Sequence, residues 1–421
     1  MAERAKATAI TGDEASAARA LGFDPERLER LDRRLARYVD DGRLPGWQLA
    51  ITRGAGVAHQ SSYGWRDVEE RLALSDRTLW RIYSMTKPIA TVAAMTLWEE
   101  GAFQLSDPIS RWIPAFADSR VYLRGSLSDA ITVAAAEPIR VWHLLSHTSG
   151  ITAGWMSTSV VDALYREAGY GTTMPPGTTL ESFCDAMAAL PLLFEPGAAW
   201  GYGNSTGVLG RLIEIWSGQP LGDAIVQRVT GPLGMNDSGW YARDDQELAP
   251  LYVPDDDGGL ARMDAIGDYA RQQPTILDAG GGMLSTLADY VRFTRMLACG
   301  GVFDDVRILS PHTLRMMTTN HLRSDLAELC TGGFANVVLD GIGFGLGFAV
   351  VTDPARSHTV ANVGEYYWGG AASTVFWVDP VEQLSVVFMS QLMNFQHGQL
   401  VPSDALPLRG ELRQLVYSAL R

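Results

Sequence analysis

Leu28, Leu31, Leu35, Tyr38 and Val39 recur at three- and four-residue spacing behind Asp24 and Pro25, and Gly42 follows them. The spacing predicts an amphipathic helix capped by Asp24, opened by Pro25 and closed at Gly42. Next come two strand-like runs, 47–53 and 57–63, around Gly54-Ala55-Gly56, which predict a hairpin. Residues 89–98 are helix-like and nearly free of charge, with Gly101 as a stop. The far end repeats the strand pattern at 345–352, 358–363, 373–378 and 384–390. The last two runs are joined by a turn at Asp379-Pro380-Val381-Glu382, and a final amphipathic helix carries Leu412, Leu415, Val416, Ala419 and Leu420.

Strands at both ends with short connections predict one antiparallel sheet built from both termini and flanked by helices, an α/β fold of the α+β type. The middle of the chain is loop-rich and helical, with helical segments at 207–216 and 287–297. It is expected to form an inserted, mainly helical domain over 111–334, set against a sheet domain of 1–110 and 335–421. A cleft between the two is the expected seat of a substrate.

Composition narrows the function classes. With 421 residues, 47% hydrophobic and 19% charged, the chain can bury a large core. The net charge of −14 and the lack of basic clustering argue against nucleic acid as a partner. No apolar run of about 18 residues predicts a membrane span, and residues 1–20 have no signal-type apolar core, so a cytoplasmic location is expected. Cys184, Cys299 and Cys330 have neither disulfide nor zinc-site spacing, and no metal or cofactor is expected.

The chemistry begins with a bias. Of 34 Lys plus Arg residues only Lys6 and Lys87 are lysine. Arginine stays charged at any usable pH, whereas lysine in a partly dry site can give up its proton. Three residues before Lys87 stands Ser84, a nucleophile such a base could serve. Pro88 fits the first turn of the helix that follows, and a helix start offers N–H groups to a developing oxyanion. Lysine at its ordinary pKa of ~10.4 is protonated at neutral pH, so a second group must share the proton. The candidate is Tyr202, in Tyr202-Gly203-Asn204.

These segments resemble the serine β-lactamase and penicillin-binding-protein superfamily, most closely the class C β-lactamase-like family VIII carboxylesterases. The resemblance rests on five segments in family order: Tyr83-Ser84-Met85-Thr86-Lys87-Pro88, Leu144-Leu145-Ser146-His147-Thr148-Ser149-Gly150, Tyr202-Gly203-Asn204, Gly280-Gly281-Gly282-Met283-Leu284-Ser285-Thr286 and Trp368-Gly369-Gly370-Ala371. It implies a β-lactamase/transpeptidase-like fold, Ser84 as acylated nucleophile and Lys87 with Tyr202 as general base and acid. It also implies Asn204 as a polar positioner and the N–H groups of Ser84 and Ala371 as an oxyanion hole. β-Lactamases carry a Lys-Thr-Gly type strand motif where this chain has Trp368-Gly369-Gly370. An indole in place of a cation favours neutral, apolar acyl esters over β-lactams. Trp155, Trp200 and Trp368 are expected to line the acyl pocket.

The expected function is therefore a serine carboxylesterase acting on small-molecule esters with short to medium acyl groups. The alternatives on the same fold are an acyltransferase and a β-lactamase or D-amino-acid peptidase. From another class, the alternative is a catalytically inactive binding protein on this scaffold. Three rival motifs carry less. Gly203-Asn204-Ser205-Thr206-Gly207 fits a nucleophile elbow but lacks a buried strand before it. His143 and His147 lack the glutamate of a zinc helix, and Asp255-Asp256-Asp257-Gly258 lacks the later ligands of a calcium loop.

Overall fold

The computed structural model describes residues 12–156, 159–330, 339–396, 399–400 and 406–421. Lys6 and the 334/335 boundary lie outside these residues. An eight-stranded antiparallel sheet forms the centre, in the order Ile342–Phe344, Ala349–Val351, Tyr366–Gly370, Thr374–Asp379, Leu384–Met389, Gly46–Arg53, Gly56–Asp67, Leu72–Ala73. The N-terminal strand Gly46–Arg53 pairs with the C-terminal strand Leu384–Met389, with Ala50 opposite Val387. The two chain ends are thus neighbours in the middle of the sheet.

Alternation of side chains explains why these strands read as continuous apolar runs. Trp47, Leu49, Ile51, Trp377 and Phe388 face a layer made of the helices Pro25–Asp40 and Leu408–Ser418. Ala50, Phe376, Val378, Val387 and Met389 face the opposite way, into the main core. The helix Thr86–Glu99 runs through that core with every residue from Thr86 to Leu97 buried, which is why its sequence carries almost no charge. The helix Pro25–Asp40 starts as its pattern predicts, with the Asp24 carboxylate accepting from Glu26 N–H at 3.0 Å and Pro25 in the first turn.

The structure alters three expectations. Residues 358–363 form no strand: His358 has φ +50°, and the strand lies later, at Tyr366–Gly370. Residues 345–352 do not run as one strand, because Gly347, at φ +86°, bends the chain between Ile342–Phe344 and Ala349–Val351. The helix Leu287–Ala298, placed by sequence in the insertion, packs on the sheet: Ser385 Oγ donates to Thr294 Oγ1 at 3.2 Å, and the Tyr290 ring is tilted against Phe376 with centroids 5.4 Å apart.

A buried polar network ties the last helix to the sheet. The Arg413 guanidinium pairs with Glu365 at 2.8 Å, and Tyr417 Oη lies 2.5 Å from Glu365 and 2.7 Å from Asp379. Glu365 is fully buried, which pushes its carboxyl above the usual range against the pull of Arg413. Arg413→Ala leaves that carboxyl without its cation and is expected to cost about 3–5 kcal/mol of stability. Urea unfolding measures this. A loss under about 1 kcal/mol would mean that the pair is not what anchors the helix.

Candidate active site

Ser84 sits in the 3₁₀ turn Tyr83–Met85, which runs directly into the helix Thr86–Glu99. The turn is held on both sides by one residue of the glycine-rich segment: Ile82 N–H donates to Met283 O, and Met283 N–H donates to Thr86 Oγ1, both at 3.1 Å. Tyr290 Oη adds a buried bond to Met85 O at 3.0 Å. Tyr83, just before the serine, has φ +42°, a left-handed conformation that a bulky residue keeps only where its surroundings impose it.

Lys87, one turn into this helical stretch, is only 5% exposed. Its Nζ lies 3.3 Å from Ser84 Oγ, donates to Gly280 O at 2.5 Å, and stands 4.6 Å from the centre of the Tyr202 ring. Tyr202 Oη bonds to Ser84 Oγ at 2.7 Å. Two segments far apart in sequence therefore bring a hydroxyl, an amine and a phenol within reach of one another, and a third supplies the Gly280 carbonyl. Tyr202 is carried by a loop braced against residues 147–152: Gly201 N–H donates to His147 O at 2.9 Å and Asn204 N–H to Thr152 O at 3.2 Å.

The strand Tyr366–Gly370 closes the other side. Its end abuts the serine turn so tightly that a Cβ on Gly370 would collide with the Ile82 carbonyl, and Ala371 is the next residue. Trp368, on the same strand face, lies 5.3 Å from the Tyr202 ring, and Trp155 meets that ring edge-on at 5.9 Å. Trp200 departs from its expected place. It is fully buried behind Tyr202, nearly parallel to it at 6.1 Å, and so backs the phenol instead of lining the cleft. The Asn204 amide nitrogen is directed to Met187 Sδ at 3.5 Å.

Arg409 attends the Trp368-Gly369-Gly370 strand from behind, a cation that the sequence motif does not reveal. Its Nη2 donates to Gly370 O at 3.1 Å and Thr374 O at 3.4 Å, and Gly369 leaves room for it, since a Cβ there would lie 2.6–2.9 Å from the guanidinium. Side chains alternate along a strand, so Arg409 occupies the face opposite Trp368 and Gly370. Sequence reading also missed Asp278, whose Oδ1 accepts from Gly280 N–H at 2.7 Å, and Phe344, which packs against Trp368 at 5.4 Å. Neither belongs to a recognisable spacing.

The rival motifs resolve locally. Ser205 is fully buried, bonded to Ser149 Oγ at 2.8 Å, and stands inside the helix Ser205–Ser217 instead of capping it. His143 Nδ1 accepts from Arg140 N–H at 3.0 Å, and burial, then Arg140, lowers this imidazole to about 4. His147 is buried and held well below the usual range by burial and then by the charge of Lys87. Asp255 Oδ1 is taken up by the N–H groups of Asp257 and Gly259 in its own turn. Among the described residues no group of three or more His, Cys, Asp or Glu is arranged for a metal, and no helix is long and apolar enough to cross a membrane. The three cysteines form no disulfide.

Comparison with known proteins gives the family. Residues 31–405 match the family model described as β-lactamase. An uncharacterised protein of Mycobacterium tuberculosis is 34% identical over 362 residues, 84% of this chain and 87% of that protein. Esterase EstB of Burkholderia gladioli is 28% identical over 382 residues, covering 86% of this chain and 89% of the esterase. The solved structure of EstCE1, a hydrolase with promiscuous acyltransferase activity, aligns with a TM-score of 0.78 at 26% identity, over 96% of this chain and all of that one.

Proposed function

The chain belongs to the β-lactamase family and is a serine hydrolase of carboxylic esters; from that premise we propose that Ser84 is its acylated nucleophile and that Lys87 and Tyr202 share the proton traffic. The observation that carries this reading is the convergence of Tyr202 Oη at 2.7 Å and Lys87 Nζ at 3.3 Å on Ser84 Oγ. Ser84 Oγ attacks the ester carbonyl as its proton passes to the Lys87/Tyr202 pair. The resulting oxyanion is received by the N–H groups of Ser84 and Ala371, each donor typically worth ~3 kcal/mol. The C–O bond to the alcohol then breaks, and the pair returns the proton to the leaving oxygen. Water, activated by the same pair, attacks the acyl-enzyme and releases the acid.

The substrate lies in the cleft between the sheet domain and the helical insertion. Trp155 and Trp368 beside Tyr202 offer aromatic surface to an uncharged acyl group. Arg409 does not reverse this preference, because its guanidinium bonds to strand carbonyls on the opposite face. A panel of p-nitrophenyl esters of rising acyl length, run beside the β-lactam nitrocefin, tests the substrate class. Short and medium esters are expected to exceed nitrocefin in kcat/KM by at least about 100-fold, corresponding to about 2.7 kcal/mol in transition-state binding. Equal or faster nitrocefin turnover would reverse the assignment. The likeness to EstCE1 favours acyl transfer as a second outcome, measured as ester exchange when a small alcohol is added to the same assay.

A further inference from the structure

Asp278 reaches the catalytic lysine by two routes that the scheme above leaves unused. Its Oδ1 accepts from Gly280 N–H at 2.7 Å, and the carbonyl of that same Gly280 accepts from Lys87 Nζ at 2.5 Å. The backbone around it is fastened as well: Asp278 O accepts from Gly282 N–H and from Trp240 Nε1, both at 3.1 Å. The second route is charge. A Cβ on Gly280 would lie 3.0 Å from Asp278 Oδ1 and 3.7 Å from Lys87 Nζ, so carboxyl and amine flank the same small space. Burial pushes the Asp278 carboxyl up, and the nearby charge of Lys87 draws it back down.

We propose that Asp278 is a positioning residue of the reaction, holding the Gly280 carbonyl against Lys87 and setting by its charge how the mobile proton is divided between Lys87 and Tyr202. The inference rests on the reading of Ser84, Lys87 and Tyr202 given above. Among the described residues the titratable groups facing Lys87 are Tyr202 from the loop before the helix Ser205–Ser217, His147, and Asp278 itself. Burial, then the charge of Lys87, holds His147 well below the usual imidazole range, and Asp278 is the carboxyl of the set. A carboxylate beside an amine favours the ammonium form, and its removal makes the free base available at lower pH.

Asp278→Asn keeps an oxygen for the Gly280 N–H and removes the charge. It is expected to lower kcat about tenfold or more with KM within about twofold, and to move the acid limb of the kcat/KM profile to lower pH by on the order of one unit. A purely structural role would lower kcat without moving the limb. Asp278→Ser, which also keeps an acceptor, replaces the first variant if that one unfolds. The same profile is taken on wild type, with Ser84→Ala as a blank. A limb that stays in place in the folded variant overturns the inference alone, whereas unchanged turnover in the Ser84→Ala blank overturns the reading beneath it.

Discussion

Ser84→Ala is expected to bring ester turnover to background, a loss on the order of 10⁴-fold or more, with no acyl-enzyme burst from an activated ester. The size follows from the chemistry. Without Oγ the Lys87/Tyr202 pair has no hydroxyl to activate, and what remains is binding plus two N–H donors. The fold should tolerate the change, because the turn is held by Met283 and Tyr290 through bonds to Ile82, Thr86 and Met85, none of which uses the serine hydroxyl. Stopped-flow release of p-nitrophenol reads the burst directly. A burst of wild-type amplitude in the variant would mean that another group is acylated.

Lys87→Arg is the more discriminating substitution. It conserves the positive charge and removes the ability to give up a proton, since a guanidinium stays charged at any pH the enzyme meets. Lys87 is buried among Ser84 Oγ, Gly280 O and the Tyr202 ring, a space fitted to one compact nitrogen. Lys87→Arg is therefore expected to lose about 10³-fold or more in kcat, as much as Lys87→Ala. Activity within about tenfold of wild type in the arginine variant would assign Lys87 to electrostatics and leave Tyr202 as the base. Circular dichroism on both variants separates lost chemistry from lost folding.

The sheet was legible at its two ends because both its faces are covered, which turned each strand into an unbroken apolar run bounded by turn residues. The strand Tyr366–Gly370 was misplaced by sequence for a physical reason. Its two glycines leave space for Arg409 and for the Ile82 carbonyl, and they erase the apolar alternation that marks a strand. The helix Leu287–Ala298 shows the same limit of local patterning: its amphipathic face was visible, but nothing in it states that the surface it covers is the sheet.

In the site, Ser84 and Lys87 could be paired because three residues on a helical turn are neighbours in any fold. Tyr202 could be named from sequence only as a candidate, since its approach depends on loops braced by His147 and Thr152. Asp278 and Arg409 had no such signal. Each contacts main chain, Asp278 the N–H of Gly280 and Arg409 the carbonyl of Gly370, and a contact made through main chain leaves no mark on the sequence of the segment it touches.

Ser84 is the proposed point of covalent attachment. Labelling the protein with a fluorophosphonate, then digesting it and locating the adduct by tandem mass spectrometry, measures that point directly. One phosphonyl group per chain on Ser84, absent from Ser84→Ala, is the predicted result; an adduct on Ser205, or undiminished labelling of the Ser84→Ala protein, would contradict it.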